Sequence, residues 1–200
     1  MLAQGIGAEQ LTQFISALND AITRRVLQLN LEKYNFDGIE WAWLAFGSEG
    51  RDEQTFSTDQ DNGIVFLCED AAQVDSLRQR FLTFALDVNK DLDRCGFPLC
   101  KGNIMASNPQ WCLSLDEWKD QFSNWIRMPQ PDALLNATIF FDFRPLFGKA
   151  DLAEAMRRHL LQQTASSPMF LRAMAKNALD VEPPLGKIRD FLTDLEPGQP

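Results

Sequence analysis

Two acidic residues spaced two apart, Asp59 and Asp61, are the side chains of this sequence best placed to do chemistry. They precede an apolar run at residues 62–68, which we predict to be a strand. Side chains at i and i+2 of an extended chain point to the same face, so two carboxylates there can share one divalent cation. Solvated loop acids in front of a strand are the alternative interpretation of such a pair.

A glycine-serine pair lies shortly before these acids. Gly47 and Ser48 follow a predicted buried strand at residues 39–46, and ten residues separate the pair from Asp59. A tight glycine turn allows backbone N–H groups and a serine hydroxyl to approach phosphates. Gly50 would keep this turn open, so the segment predicts a triphosphate-binding loop.

The loop continues with a cation and several amides. Arg51 can neutralise phosphate charge, although a surface ion pair with Asp52 or Glu53 is equally compatible with the sequence. Polar residues surround the acids and could either orient metal ligands or be ordinary turn residues: Gln54, Thr58, Gln60 and Asn62.

A third carboxylate, Asp142, stands in the apolar run 134–143, which we predict to be a strand. A carboxylate buried there is costly unless a cation compensates it, and Arg144 on the same strand face could do so as an ion pair. Alternatively, Asp59 and Asp61 would hold one Mg²⁺ while Asp142 shares a second one or acts as general base. Three acids and two metal ions fit phosphoryl transfer.

Hydrophobic periodicity predicts the elements that must position these residues. The predicted helices are residues 8–31, 49–54, 74–95, a segment after the capping box at Ser114, 151–163 and 168–179. The predicted strands are 39–46, 62–68 and 134–143, with 99–106 as a short strand or a loop. This alternation indicates an α/β or α+β fold, with a small mixed sheet flanked by helices.

Three predicted helices carry an apolar face. In the first it comprises Leu11, Phe14, Ile15, Leu18, Ile22, Val26 and Leu29. In the helix at 74–95 it comprises Leu77, Phe81, Phe84, Ala85, Val88 and Leu92. In the helix after Ser114 it comprises Leu115, Trp118, Phe122, Trp125 and Ile126, which we interpret as core.

Composition and net charge limit the classes of partner that this protein is expected to bind. The 200 residues are 45% hydrophobic and 24% charged, as in a globular domain, and the net charge of −9 with scattered Lys and Arg argues against a nucleic-acid substrate. No apolar run approaches the roughly 20 residues that span a bilayer, and the N-terminus does not resemble a signal peptide. We therefore expect no membrane association and a cytoplasmic location.

The remaining reactive side chains give weaker signals. The cysteines lack a C-x-x-C spacing, so we predict buried, reduced thiols and no zinc site: Cys68, Cys95, Cys100 and Cys112. His159 lies among apolar residues in helical register and is interpreted as a packed helix residue. Residues 101–103 could contact a base or ribose.

Residues 47–54 and 58–62, Gly-Ser-Glu-Gly-Arg-Asp-Glu-Gln and Thr-Asp-Gln-Asp-Asn, resemble the nucleotidyltransferase domain of bacterial signalling proteins. In that family the domain usually follows CBS or cyclic-nucleotide-binding domains. It is related to protein-PII uridylyltransferase and glutamine-synthetase adenylyltransferase, within the DNA polymerase β-like superfamily. Further similar blocks are residues 18–24, 95–98, 105–111, 114–118, 140–144 and 183–186.

The resemblance implies a nucleotidyltransferase fold, two Mg²⁺ ions, and an NTP substrate such as ATP or UTP. It also implies a hydroxyl acceptor, by analogy on a protein, and regulatory domains in a longer parent chain. The implied metal ligands are Asp59, Asp61 and Asp142, and the implied triphosphate contacts are Gly47, Ser48, Gly50 and Arg51. We expect residues 1–148 to form the nucleotidyltransferase domain and residues 149–200 a truncated helical extension.

Two other functions are compatible with the sequence. A non-catalytic nucleotide sensor would keep the same pocket and signal through the C-terminal helices. A helical protein-interaction module would leave the acids incidental.

Overall fold

The computed structural model of the chain describes residues 7–55 and 59–179. Helices in this part are α1 Ala8–Leu31, α2 Gly47–Gly50, α3 Val74–Arg94, α4 Leu115–Arg127, α5 Pro131–Phe140, α6 Ala150–Ala165 and α7 Pro168–Leu179. Strands are β1 Trp41–Phe46, β2 Asn62–Phe66, β3 Cys112–Ser114 and β4 Phe143–Gly148. The mixed α/β class predicted from the sequence is confirmed.

The sheet has the order β3-β2-β1-β4. Strand β1 pairs antiparallel with both β2 and β4, and β2 pairs parallel with β3, so the sheet is small and mixed as expected. Every residue of β1 is buried, because both faces of this central strand are covered. The strand that leads into the glycine-serine turn is thus the most enclosed element of the sheet.

One face of the sheet packs against α1 and α3. Trp41 and Trp43 of β1 point into this core, where all six apolar residues predicted for α3 are buried. The prediction for α1 holds only in part, since Phe14, Leu18 and Leu29 are exposed. The apolar stripe of α1 is wider than the surface that the sheet offers to it.

The other face packs against α4, α5, α6 and α7. Ala42, Leu44 and Phe46 of β1 share this core with the apolar residues of α4, all of which are buried as predicted. The capping box at Ser114 is also confirmed. Buried residues of α6 belong to the same core, including Met156. The boundary expected near residue 148 stays a prediction.

The predicted strand at 134–143 is wrong. Residues Pro131–Phe140 form helix α5, with Ala133, Ala137 and Phe140 buried at helical spacing, and the strand comes later, as β4. A short apolar run fits a buried helix as well as a buried strand, and the proline at the first helical turn decides here for the helix. Residues 99–106 form a loop, and the extra strand is β3.

Other boundaries differ in detail. The short helix predicted at 49–54 begins at Gly47 and ends at Gly50. The block 183–186 and Thr58 lie outside the described residues. Among the described helices, none combines the length and apolar character that crossing a bilayer requires.

Candidate active site

The chain leaves β1 through a left-handed glycine and a single helical turn. Gly47 has φ +53°, a conformation that side chains rarely adopt, so glycine is needed there. The N–H of Arg51 donates to the carbonyl of Gly47 at 3.0 Å, and the N–H of Glu53 donates to that of Ser48 at 2.9 Å. Ser48 itself is exposed. The predicted loop is therefore a fixed turn with its serine facing solvent.

Gly50 is required by a close backbone approach. A Cβ atom at this position would lie 2.2 Å from the carbonyl oxygen of Asp142 and 3.2 Å from that of Ala45. The absence of a side chain allows α2 to pack directly against the residue that precedes β4. The sequence suggested that Gly50 keeps the turn open. The structure shows in addition that a glycine is needed here for the close contact with Asp142.

Asp59 and Asp61 do come together, as predicted. One carboxylate oxygen of each and the sulfur of Cys100 lie within 4.8 Å of one another. The turn adjoins them, because a Cβ at position 47 would be 3.7 Å from Oδ2 of Asp61. Burial raises the pKa of Asp61, a hydrogen bond from Cys100 opposes this, and repulsion from Asp59 adds to it.

Cys100 was not predicted at this site. Its sulfur lies within 4.8 Å of a carboxylate oxygen of Asp59 and of one of Asp61. Burial raises the pKa of the thiol. The prediction of buried cysteines holds for Cys112 alone, since Cys95 is exposed and the other two are half-buried; all four are free thiols.

The amide side chains of Gln60, between the two acids, and of Asn62, directly after them, are buried in the interior. Gln60 donates to the carbonyls of Asn89 and Phe97 at 3.0 and 2.7 Å. The amide of Asn89, on α3, donates to the side-chain oxygens of Gln60 and Asn62 at 2.7 and 3.0 Å. Because side chains alternate along an extended chain, burial of Gln60 and Asn62 directs Asp59 and Asp61 to the opposite side. A role of these amides in orienting metal ligands stays a prediction.

Asp142 is not part of this cluster of ligand atoms. It sits in the bend between α5 and β4 with a side chain 48% exposed, and its Oδ2 is 2.9 Å from Nη1 of Arg51. Arg51 also contacts Glu53 at 2.7 Å, so the ion pair with Glu53 considered from the sequence does form. Among the described residues, the only set of three metal-capable side chains is Asp59, Asp61 and Cys100, without Asp142.

Arg144 does not pair with Asp142, so that alternative is wrong. It binds Asp20 of α1 through two hydrogen bonds of 2.7 and 2.8 Å. Its Nε donates to the carbonyl of Glu49, and Nη2 is 2.9 Å from Asp52. Arg144 therefore joins α1, β4 and the loop around α2.

The side chain of Glu49 is buried within the loop, with 8% exposure. Burial raises its pKa to about 8; Arg144 opposes this rise, while Asp20, Asp61 and Asp52 add to it. A protonated carboxyl near neutral pH is the consequence. The glutamate in the Gly-Ser-Glu-Gly motif is thus buried inside the site, although glutamate is usually an exposed residue.

Besides the contact between Asp20 and Arg144, helix α1 also hydrogen-bonds to the loop after α2, at Gln54. Asn19 donates to Oε1 of buried Gln54 at 3.0 Å, and the N–H of Gln54 approaches Oγ of Ser16 at 3.4 Å. Residues on one face of α1 thus contact the segment that connects α2 to the two acids. No sequence pattern pairs these polar residues, because they lie 35 and 38 positions apart.

Two weaker candidates lie elsewhere. Nε2 of His159 is 2.8 Å from Oγ of Ser123, which makes His159 a packed helix residue as predicted. Residues 101–103 are exposed, so contact with a nucleotide stays a prediction for them.

The comparisons with known proteins bear on this geometry. No curated protein and no solved structure matches the chain. The family described as "Putative nucleotidyltransferase DUF294" matches residues 1–132, which include α2, both clustered acids and Cys100 but end before Asp142. With 132 of its 200 residues matched, the chain belongs to this nucleotidyltransferase family.

Proposed function

We propose that the protein transfers a nucleoside monophosphate from an NTP, ATP or UTP, to a hydroxyl group, with release of pyrophosphate. One observation carries this proposal: Asp59 and Asp61 converge directly beside the glycine turn at Gly47. A cation held by the acids and a triphosphate held by the turn would then be in contact, as nucleotidyl transfer requires.

The residues present fit Mg²⁺. Carboxylate oxygens are the ligands that this ion prefers, and Asp59 and Asp61 offer one each at the mouth of β2. Burial and repulsion from Asp59 raise the pKa of Asp61, which indicates a pair that a bound cation would stabilise. Bound Mg²⁺ would neutralise triphosphate charge and lower the pKa of the attacking hydroxyl.

The loop would bind the triphosphate. Ser48 is exposed and can donate its hydroxyl to a phosphate oxygen, next to the backbone of Gly47. The guanidinium of Arg51 lies at the surface in ion pairs with Glu53 and Asp142. Exposed ion pairs are weak, so a phosphate with more charge would displace these carboxylates.

Asp142 would act once a phosphate has replaced it as the partner of Arg51. Once Arg51 turns to phosphate, the carboxylate of Asp142 is free to accept the proton of the acceptor hydroxyl or to share a second Mg²⁺. Its position beside Gly50 keeps it near the loop. Asp142 is therefore proposed as the general base or third ligand, with Arg51 as the group that holds it beforehand.

The acceptor is proposed to be a protein hydroxyl. This rests on the resemblance to uridylyl- and adenylyltransferases, and the net charge of −9 disfavours a polyanionic nucleic acid. By the same resemblance, CBS or cyclic-nucleotide-binding domains in a longer parent chain would regulate the reaction in bacterial signalling.

A nucleotide sensor is the second candidate. The observation that favours it is the ion pair between Asp142 and Arg51, which leaves Asp142 outside the cluster of acids. If Asp142 keeps this partner when nucleotide binds, the site has two acids and no base. Such a protein would bind Mg·NTP without turning it over.

Incubation with each α-³²P-labelled NTP and Mg²⁺ tests the proposal, with a bacterial lysate or purified candidate proteins as acceptor. We expect label on an acceptor and release of pyrophosphate with wild type, and loss of both with Asp59→Asn/Asp61→Asn. Asp93→Asn, an exposed acid on α3, is the matched control and should retain activity.

Calorimetry with Mg·NTP separates the two candidates. Binding without transfer by wild type would favour the sensor, and equal transfer by the double variant would exclude the proposed active site. A thermal-shift panel of the four NTPs with and without Mg²⁺ identifies the base beforehand, because a ligand of the folded state raises its stability.

A further inference from the structure

The cation site holds a donor that Mg²⁺ does not need. Besides Asp59 and Asp61, the sulfur of Cys100 lies within 4.8 Å of a carboxylate oxygen of each. Two donors bound to one tetrahedral zinc ion lie about 3.6 Å apart, given typical Zn–S and Zn–O bond lengths, so each pair needs to approach by at most about 1.2 Å. Small side-chain rotations therefore suffice to bring all three atoms onto one ion.

Backbone hydrogen bonds fix the position of this thiol. The N–H of Gln60 donates to the carbonyl of Pro98, and the N–H of Asn62 donates to that of Ile104, both at 3.1 Å. These bonds tie the loop that carries Cys100 to the segment that carries Asp61, on either side of both residues. Within the loop, the N–H of Asn103 donates to the carbonyl of Cys100 at 3.0 Å.

We infer that Cys100 is a third ligand at the Asp59–Asp61 site and gives this site a preference for thiophilic divalent cations, Zn²⁺ or Cd²⁺, over Mg²⁺. The inference deepens the proposed function, since it rests on the same cation site, but it concerns binding and requires no turnover. Thiolates are ligands for soft ions, whereas Mg²⁺ selects oxygen. Mg²⁺ therefore uses the carboxylates alone.

Binding of a soft ion is a balanced exchange. The S–H bond of Cys100 breaks, its proton goes to solvent, and the sulfur donates its electron pair to the cation with no change of oxidation state. A cation held by three protein ligands leaves the site more slowly than Mg²⁺. Zn²⁺ at low concentration would accordingly compete with Mg²⁺ and inhibit nucleotidyl transfer.

Titration of the full chain with Cd²⁺, without nucleotide, tests the inference. Cadmium bound to thiolate gives an ultraviolet charge-transfer band, so the band reports the sulfur directly. We expect the band in wild type and in Cys95→Ser, the exposed cysteine of the preceding turn. In Cys100→Ser it should disappear, with Cd²⁺ binding at least about 10-fold weaker and Mg²⁺ binding changed less than about 2-fold.

A second measurement avoids dependence on one variant. In wild type, Cd²⁺ but not Mg²⁺ should protect Cys100 from alkylation by iodoacetamide, as located by peptide mass spectrometry. The inference fails if the band persists in Cys100→Ser or in Asp59→Asn/Asp61→Asn, or if Cd²⁺ leaves Cys100 open to alkylation. A charge-transfer band without nucleotidyl transfer would overturn the proposed function alone. Transfer without the band would overturn this inference alone.

Discussion

The guanidinium of Arg144 donates two hydrogen bonds, of 2.7 and 2.8 Å, to the carboxylate of Asp20, which lies 124 residues earlier in the sequence. The side chains are only 19% and 9% exposed. Since Nε of Arg144 also donates to the carbonyl of Glu49, the pair connects the first helix to the turn that is proposed to bind phosphate. The first helix therefore forms part of the support of the site, in addition to covering the sheet.

Breaking this pair should destabilise the fold. Asp20→Ala leaves the guanidinium of Arg144 half-buried with Asp52 as its remaining carboxylate partner, and removal of one partner of a buried pair costs about 3 kcal/mol. Urea unfolding would measure the change in the free energy of unfolding. Arg94→Ala, which breaks an exposed ion pair with Asp91, is the control and should cost less than about 1 kcal/mol. Equal effects of the two variants would contradict the supporting role.

Glu49 should make stability fall with rising pH. Its pKa is about 8 in the folded protein against an ordinary value of 4.5, so between these values the folded state binds more protons than the unfolded state. The free energy of unfolding therefore decreases as the pH rises through this interval. Glu49→Gln removes the titration, and we expect the melting temperature of wild type to drop relative to this variant from about pH 5 to about pH 8. A difference independent of pH would contradict the burial of this carboxyl.

Local features of the site could be predicted from the sequence. Asp59 and Asp61 lie together because the two-residue period of extended chain is a property of adjacent residues. The same holds for the buried face of α3, whose apolar positions recur with the helical period. Such patterns are fixed by backbone geometry and need no knowledge of distant neighbours.

Contacts between distant segments could not be predicted. Cys100 reaches Asp61 only because the loop that carries it hydrogen-bonds to the segment around the acids, and no periodicity encodes that pairing. Asp142 was placed in a strand because residues 134–141 are mostly apolar, a pattern that α5 satisfies equally well. The partner of Arg144 followed from the packing of α1 on β4, which the sequence alone does not determine.

Gly50→Ala should strain the site. The new methyl group would meet the carbonyl oxygen of Asp142 at 2.2 Å, and since backbone is on both sides, the chain itself must move. We expect a loss of about 2 kcal/mol in urea unfolding and weaker NTP binding. At Gly102 the nearest atoms to an added Cβ are 3.6 Å away, so Gly102→Ala should change stability by less than about 0.5 kcal/mol. If both substitutions were tolerated equally, the close contact between α2 and Asp142 would be wrong.

Asn89→Leu should destabilise the fold and disturb the metal site together. Asn89 donates to Gln60 and Asn62 and accepts from the N–H of Ser107, all in the interior. Leucine leaves these groups without that partner, at a cost of about 3 kcal/mol, and frees the segment that directs Asp59 and Asp61 outward. Urea unfolding and Mn²⁺ titration would measure the two effects.

Asn124→Leu, on the exposed face of α4, is the control and should change neither the free energy of unfolding nor the Mn²⁺ affinity. Unchanged Mn²⁺ affinity in a folded Asn89→Leu protein would show that the amide network does not position the acids.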